Sequence, residues 1–322
     1  MNHATPDREP VPIILDTDIG EDIDDILVLA VALNSPEFEV LAVTTVDGDT
    51  SARSRITRRI TSAFGRGKIP VVAGYPRSMP EGDEPVPPLT SVTQNAVAPT
   101  EDGLPAGCES AADELIARLA TAQPGKVHLL TIGSMTNAGQ ALVRYPQTAR
   151  NLAAILSNGG SFAPGRKTAI GWNLRYDPAA VAVVARSEAS WVLLSESLGI
   201  PPLTVDDVEA IRTRGLETTD ALWVAIQEWR ENKPECNAES LPHMADLNTL
   251  AWLLGGYLDV RPGQAYIEVG PRGQRASLRV EDAATGPHLL GWSVRPEQRD
   301  RLHDLYMQRL LAEPIAKREK TG

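Results

Sequence analysis

Asp16, Asp18, Glu21, Asp22, Asp24 and Asp25 crowd into ten residues, DTDIGEDIDD, directly after the apolar run PIIL at 12–15. Carboxylates this close repel one another unless protons or a cation offset their charge. An oxygen-only donor set with no His or Cys beside it suits Ca2+ or Mg2+ rather than zinc. The chemistry on offer is the binding of a hard divalent cation. An exposed acidic loop at a helix N-terminus, favoured by the helix dipole, accounts for Asp24 and Asp25. It does not account for Asp16 and Asp18, which leave a buried strand. An EF-hand is excluded, because that loop needs flanking helices and a Glu at its twelfth position.

The elements that must position these groups follow from hydrophobic periodicity. Residues 12–15, 39–46, 69–73, 126–132, 153–156 and 191–194 read as buried strands, and 23–33, 109–122 and 178–186 as helices. Ile56, Ile60 and Phe64 fall on one helical face. The alternation predicts an α/β fold with an open, mainly parallel, doubly wound sheet, a Rossmann-like core. Ligands bind such sheets at the carboxyl ends of the strands, where the aspartates stand. Residues 204–252 read as mostly helical, 264–269 with 276–280 as a late hairpin, and 295–311 as a final helix. The Pro-, Gly- and acid-rich run 75–107 is expected to be a functional loop or lid, or a solvated surface loop. With no repeat and no clear linker, residues 11–314 are taken as one catalytic domain. Residues 1–10 and 315–322 are taken as polar tails.

Lys plus Arg is 31 against 42 Asp plus Glu, a net charge of −11, which disfavours nucleic acid polymers and anionic membranes as partners. No run approaches the roughly 20 apolar residues of a membrane helix. MNHATPDREP lacks the apolar core of a secretory signal. Cys108 and Cys236 are the only cysteines and form neither a disulfide framework nor a zinc site. A reduced, cytoplasmic setting is expected.

Strand, DxDxG, spacer, DD and helix together resemble the nucleoside-hydrolase family of the inosine-uridine type, in a DxDxGxDxDD variant. Further segments recur in the family's order: VTTVDGDT at 43–50, LLTIGSMTNA at 129–138 and SNGGSFAPG at 157–165. Trp172-Asn173 with Asp177-Pro178-Ala179-Ala180 and Met244-Ala245-Asp246 with Leu250-Ala251 follow. The resemblance implies calcium-dependent hydrolysis of the N-glycosidic bond of a ribonucleoside or similar small molecule. It implies calcium on Asp18, Asp25, the carbonyl of Ile132 and Asp246, with Asp18 as general base and Asp16 behind it. Asp24, Asp49, Asn158, Trp172 and Asn173 are expected to meet the substrate. A homo-oligomer, dimer or tetramer, is likewise implied by the resemblance alone.

The chain also departs from the family. The Glu that binds the ribose 5′-hydroxyl is replaced by Gly171, an Asn by Arg166, and the His before the last Asp by Ala245. Arg166 suits phosphate, which raises a 5′-phosphorylated or otherwise acidic substrate as one reading and a solvent-facing arginine as the other. His243, two residues before Ala245, is a candidate to stand in for that His but is read as polar surface, and Asp177-Pro178 as an N-cap with Pro at the first helical position. Trp172, Tyr176 and Trp252 are candidates for an aromatic wall. Two alternatives remain: a nucleoside-binding or specialised relative on the same fold, and an aspartate-nucleophile phosphatase.

Overall fold

The structure, a computed structural model, describes residues 9–79, 92–98, 112–268 and 276–318. Most of the segment read as a lid, along with Cys108 and residues 109–111 of a predicted helix, lies outside them. In chain order the strands are β1 (Val11–Thr17), β2 (Phe38–Thr45), β3 (Val71–Ala73), β4 (His128–Thr131), β5 (Ala154–Asn158), β6 (Trp191–Leu194), β7 (Leu258–Glu268), β8 (Ser277–Asp282) and β9 (His288–Val294). They join one sheet in the order β3-β2-β1-β4-β5-β6-β9-β7-β8. The first six pair in parallel, β9 adds parallel to β6, and β7 runs antiparallel to both β9 and β8.

The parallel strands are short apolar runs, as strands covered on both faces must be. Alternation sends Ile13 and Leu15 into one core and Ile14 into the other. The helices relevant to the site are α1 (Asp24–Leu33), α2 (Thr50–Ala63), α3 (Ala112–Ala122), α4 (Thr136–Arg144), α5 (Thr148–Asn151), α6 (Trp172–Tyr176) and α7 (Pro178–Arg186). After β6 come α8 (Val205–Thr213), α9 (Glu217–Asn232), α10 (Asn248–Leu254), α11 (Arg299–Leu311) and α12 (Ile315–Arg318). Every residue of α1 is buried, so DDILVLAVAL is apolar all round after its two acids. No helix among the described residues is long and apolar enough to cross a membrane.

The parallel α/β architecture and the late hairpin match the sequence reading. Three differences have local causes. Strand β9 was not expected, since HLLGWSV has no clear period; Gly291 sits so close to Leu194 that a Cβ would lie 2.6 Å from it. Strand β7 begins at Leu258 rather than 264, because its first residues pair with β9. Helix α11 begins at Arg299, with a 3-10 turn over Pro296–Gln298 ahead of it.

The C-terminal end is fastened to α1 by one side chain. Asn34, fully buried at the α1 C-terminus, donates from Nδ2 to the carbonyls of Arg309 (2.8 Å) and Ala312 (3.1 Å). Its Oδ1 accepts from the Ile315 amide at 3.0 Å, within the segment taken from sequence as a polar tail. Asn34→Ala leaves these backbone groups unpaired. It should lower unfolding stability by about 2–3 kcal/mol with the urea m-value unchanged; equal urea midpoints for variant and parent contradict the clip.

Candidate active site

The β1–β4 boundary is where the strand order reverses, and the carboxyl ends of the strands there line a cavity of about 850 Å³. Asp16 lies level with Thr44 of β2 and Thr131 of β4. Its Oδ1 accepts from the Thr44 hydroxyl at 2.6 Å and from Asn137 Nδ2 at 2.7 Å. One carboxylate therefore ties three of the sequence motifs together. Its Oδ2 is buried with no hydrogen-bond partner among the described residues. Burial pushes the Asp16 carboxyl up to about 7, against the two hydrogen bonds. Asp16 itself does not line the cavity.

Asp24 and Asp25 open α1, and Asp246 sits in the 3-10 turn Ala245–Leu247. Oxygens of these three buried residues lie within 4.8 Å of one another. The helix dipole of α1 offsets only part of this charge. The Thr17 hydroxyl donates to Asp25, Asn158 Nδ2 donates to Asp246 at 2.8 Å, and the Asp246 amide donates to Asp24 at 3.4 Å. Burial and neighbouring carboxylates push Asp25 and Asp246 well above the usual carboxylate range. Asp18, half-buried on the cavity wall, is pushed to about 7 by burial, with Arg53 opposing and Asp47 and Glu21 adding. Gly133 is needed beside it, as a Cβ there would lie 2.8 Å from the Asp18 amide and 3.0 Å from its carboxylate.

The other expected residues divide. Asn173 lines the cavity and donates to the Ile132 carbonyl at 2.6 Å. Asn158 lines it too, held by Asn248 at 3.1 Å. Trp172 is 50 % exposed at the rim, with the Arg175 guanidinium 5.0 Å above its ring. Tyr176 and Trp252 do not line the cavity; Tyr176 is buried and Trp252 packs against the core. Asp49 is exposed and caps α2, accepting from the Ala52 amide at 2.9 Å, and does not line the cavity. Arg166 is exposed in a turn and does not line the cavity, as its solvent-facing reading has it. Asp177 is the N-cap that the following Pro suggested, and also accepts from Thr136 at 2.6 Å.

His243 is not plain surface. It lines the cavity, with Nε2 3.0 Å from Asp22 and Nδ1 3.2 Å from Asp24. Burial would lower its pKa, but the two aspartates outweigh that and push it up to about 11. Lys233 pairs with the same Asp22. Sequence reading missed Lys233, Glu196 and Arg53. The first two carry no motif, and an arginine inside an amphipathic helix reads as solvent-facing.

Arg53 of α2 is fully buried. Its Nε donates to the Asp47 carbonyl at 2.7 Å, and its Nη1 to the carbonyls of Asp18 and Ile19. Asp47 has φ 67, an uncommon backbone conformation for a residue other than glycine. One guanidinium thus holds a strained turn against the acidic loop and supplies the nearest positive charge to Asp18. Arg53→Met strands those carbonyls and leaves Asp18 without that charge. It should cost about 3 kcal/mol or more in denaturant unfolding, with Arg53→Lys recovering only part. A loss below about 1 kcal/mol contradicts this role.

A family model described as inosine-uridine preferring nucleoside hydrolase matches residues 13–302. Among curated proteins, the non-specific ribonucleoside hydrolase RihC of Klebsiella pneumoniae is 29% identical over 251 residues, 76% of this chain and 79% of its own. The pyrimidine-specific ribonucleoside hydrolase RihA of Citrobacter koseri is 26% identical, again over 76% of this chain and 79% of its own. A solved plant nucleoside hydrolase superposes with a TM-score of 0.76 at 20% identity, covering 94% of this chain and 99% of that one, a likeness of fold. With the family model spanning both the acidic loop and Asp246, the chain belongs to the inosine-uridine preferring nucleoside hydrolase family and is a hydrolase of N-glycosyl compounds.

Proposed function

We propose that the chain cleaves the N-glycosidic bond of a ribonucleoside with an uncharged 5′ end, aided by calcium on Asp18, Asp25, Asp246 and the Ile132 carbonyl. The observation that carries this is the meeting of Asp25 with Asp246, whose oxygens lie within 4.8 Å of each other and of Asp24. The donors are hard oxygens, the cluster is buried, and its charge calls for an offset, so the residues fit a hard divalent cation. When bound, the cation would balance these carboxylates and lower the pKa of a water. The curated relatives are named one as pyrimidine-specific and one as non-specific, and ribonucleosides are the class common to both. An uncharged 5′ end is favoured because Arg166, the residue suited to a phosphate, is exposed and does not line the cavity.

In this reading Asp18 accepts the proton of the attacking water. The water oxygen bonds to the anomeric carbon as the carbon–nitrogen bond breaks, through an oxocarbenium-like state, and the base leaves with the bonding pair and takes up a proton. Asn173, its amide nitrogen already committed to Ile132, has its oxygen left to accept from a ribose hydroxyl, and Asp24 accepts from another. Asn158 holds Asp246 in orientation through its 2.8 Å hydrogen bond. Trp172 offers its exposed face to sugar or base at the rim.

Exhaustive chelation should abolish release of base from inosine and uridine, and added calcium should restore it. At saturating calcium, Asp18→Asn should lower kcat by about 10²–10⁴. Full activity after chelation, or an unchanged Asp18→Asn enzyme, contradicts the proposal.

The cation should also set how stability varies with pH. Asp16 and Asp18 are pushed to about 7 in the fold, above their unfolded range near 4. With the folded pKa above the unfolded one, the stability these groups contribute is present below about pH 4 and lost as pH rises through about 7. A cation that holds the carboxylates ionised removes this loss. The gap in Tm between calcium-loaded and stripped protein should therefore widen from about pH 5 to about pH 8; a gap constant over that range contradicts the assignment.

A further inference from the structure

We infer that Glu196 is a specificity-determining residue of this cavity, receiving a hydrogen-bond donor from the exocyclic end of the sugar and excluding substrates that carry an anion there. The inference rests on the ribonucleoside reading above and adds to it the residue that reads the sugar's far end.

Glu196 stands just beyond the end of β6, on the same sheet edge as the acidic loop, and lines the cavity with Trp172 and Asn173. Its backbone is fixed, since its amide donates to the Gly160 carbonyl at 2.8 Å. Its side chain is fixed as well, since the Gly160 amide donates to Oε1 at 3.0 Å. A carboxylate held at both ends of its side chain is pre-set for a ligand rather than free to sweep solvent.

The carboxylate fills space that position 171 leaves. A Cβ on residue 171 would overlap both the Glu196 carboxylate and the Gly160 amide nitrogen. Gly171 has φ −80 and ψ 173, ordinary extended backbone, so its lack of a side chain serves room and not conformation. The Glu196 carboxylate, from just beyond β6, thus occupies the place a side chain at 171 would take, and glycine at 171 is the condition for it. A glutamate at 171 could not be accommodated without moving Gly160.

Among the described residues the remaining oxygen of Glu196 has no hydrogen-bond partner and the group has no ion pair, although the charge of Arg175 acts on it from farther away. Nor does Glu196 belong to the clusters that could hold a metal. Once the ribose 2′- and 3′-hydroxyls meet Asp24 and Asn173, the exocyclic hydroxyl is the sugar's remaining donor. An anion at that place would meet the Glu196 carboxylate, with the Arg175 guanidinium, over the Trp172 ring, as the positive charge that acts on that carboxylate. The cations that line the cavity, Lys233 and His243, both face Asp22.

The test compares uridine, 5′-deoxyuridine and uridine 5′-monophosphate on wild type, Glu196→Gln and Glu196→Ala, all calcium-loaded, with inosine and its analogues in parallel. Wild type should lose about tenfold to a hundredfold in kcat/KM when the 5′-hydroxyl is removed, since a charged acceptor is left unpaired. Glu196→Ala should lose a similar factor on the parent nucleoside, and the two losses should not multiply when combined. The monophosphate should be the poorest substrate of wild type, and Glu196→Gln should narrow its disadvantage. Losses that multiply, or a wild type that prefers the monophosphate, overturn the inference. Melting curves and calcium binding matched to wild type separate a local effect from a folding defect. Should one variant fail those checks, the other decides. A wild type that releases no base from any nucleoside brings down the ribonucleoside reading itself, whereas multiplying losses in an active enzyme bring down only the part given to Glu196.

Discussion

Like charges forced together in a buried space are the constraint on which this molecule turns. Asp24, Asp25 and Asp246 bring oxygens within 4.8 Å of one another with almost no access to solvent. Left to themselves such groups hold protons, and the raised pKa values of Asp25 and Asp246 express that cost. The fold answers with hydrogen-bond donors at each member: Thr17 to Asp25, Asn158 to Asp246, and the Asp246 amide to Asp24. Those donors orient the oxygens but do not cancel their charge. A divalent cation does both, which is why the cluster reads as a binding site and not as a structural accident.

The scaffold reaches this arrangement by convergence. Strand β1 carries Asp16 and ends just before Asp18, the buried helix α1 presents Asp24 and Asp25 at its positive end, and a turn 222 residues beyond Asp24 returns Asp246. Behind the loop, Thr44 and Asn137 converge on Asp16, and Arg53 pins the backbones of Asp18 and Asp47. The cavity beyond is acidic, with Lys233 and His243 gathered at Asp22. Such a surface suits an uncharged ligand rich in hydroxyl groups.

Local pattern was enough for the parallel strands, because runs such as AILS and WVLL are buried on both faces and admit little else. It was enough for Asp16 and Asp18, whose position after a buried strand has no cheap structural explanation. Asp246 became legible only through the resemblance, since nothing near it in the chain announces its partners. At Asp49 local pattern is ambiguous, because a helix N-cap and a sugar-binding acid are the same residue type in the same loop. His243 was undervalued because its significance lies in Asp22 and Asp24, far away in sequence. Glu196 carries no local signal at all: its meaning comes from a space at Gly171 that only the folded backbone creates. Strand β9 escaped for the same reason, as its partners β6 and β7 lie on either side of it only in the sheet.

The most direct measurement of the central claim is a calorimetric titration of stripped protein with calcium, run on wild type and on Asp25→Asn and Asp246→Asn. Convergence of these carboxylates on one ion predicts a single site per chain, with affinity lowered at least a hundredfold by either substitution, equivalent to about 2.7 kcal/mol or more. Calcium that binds the Asp246→Asn protein as tightly as the wild type, or no binding to wild type at all, contradicts it.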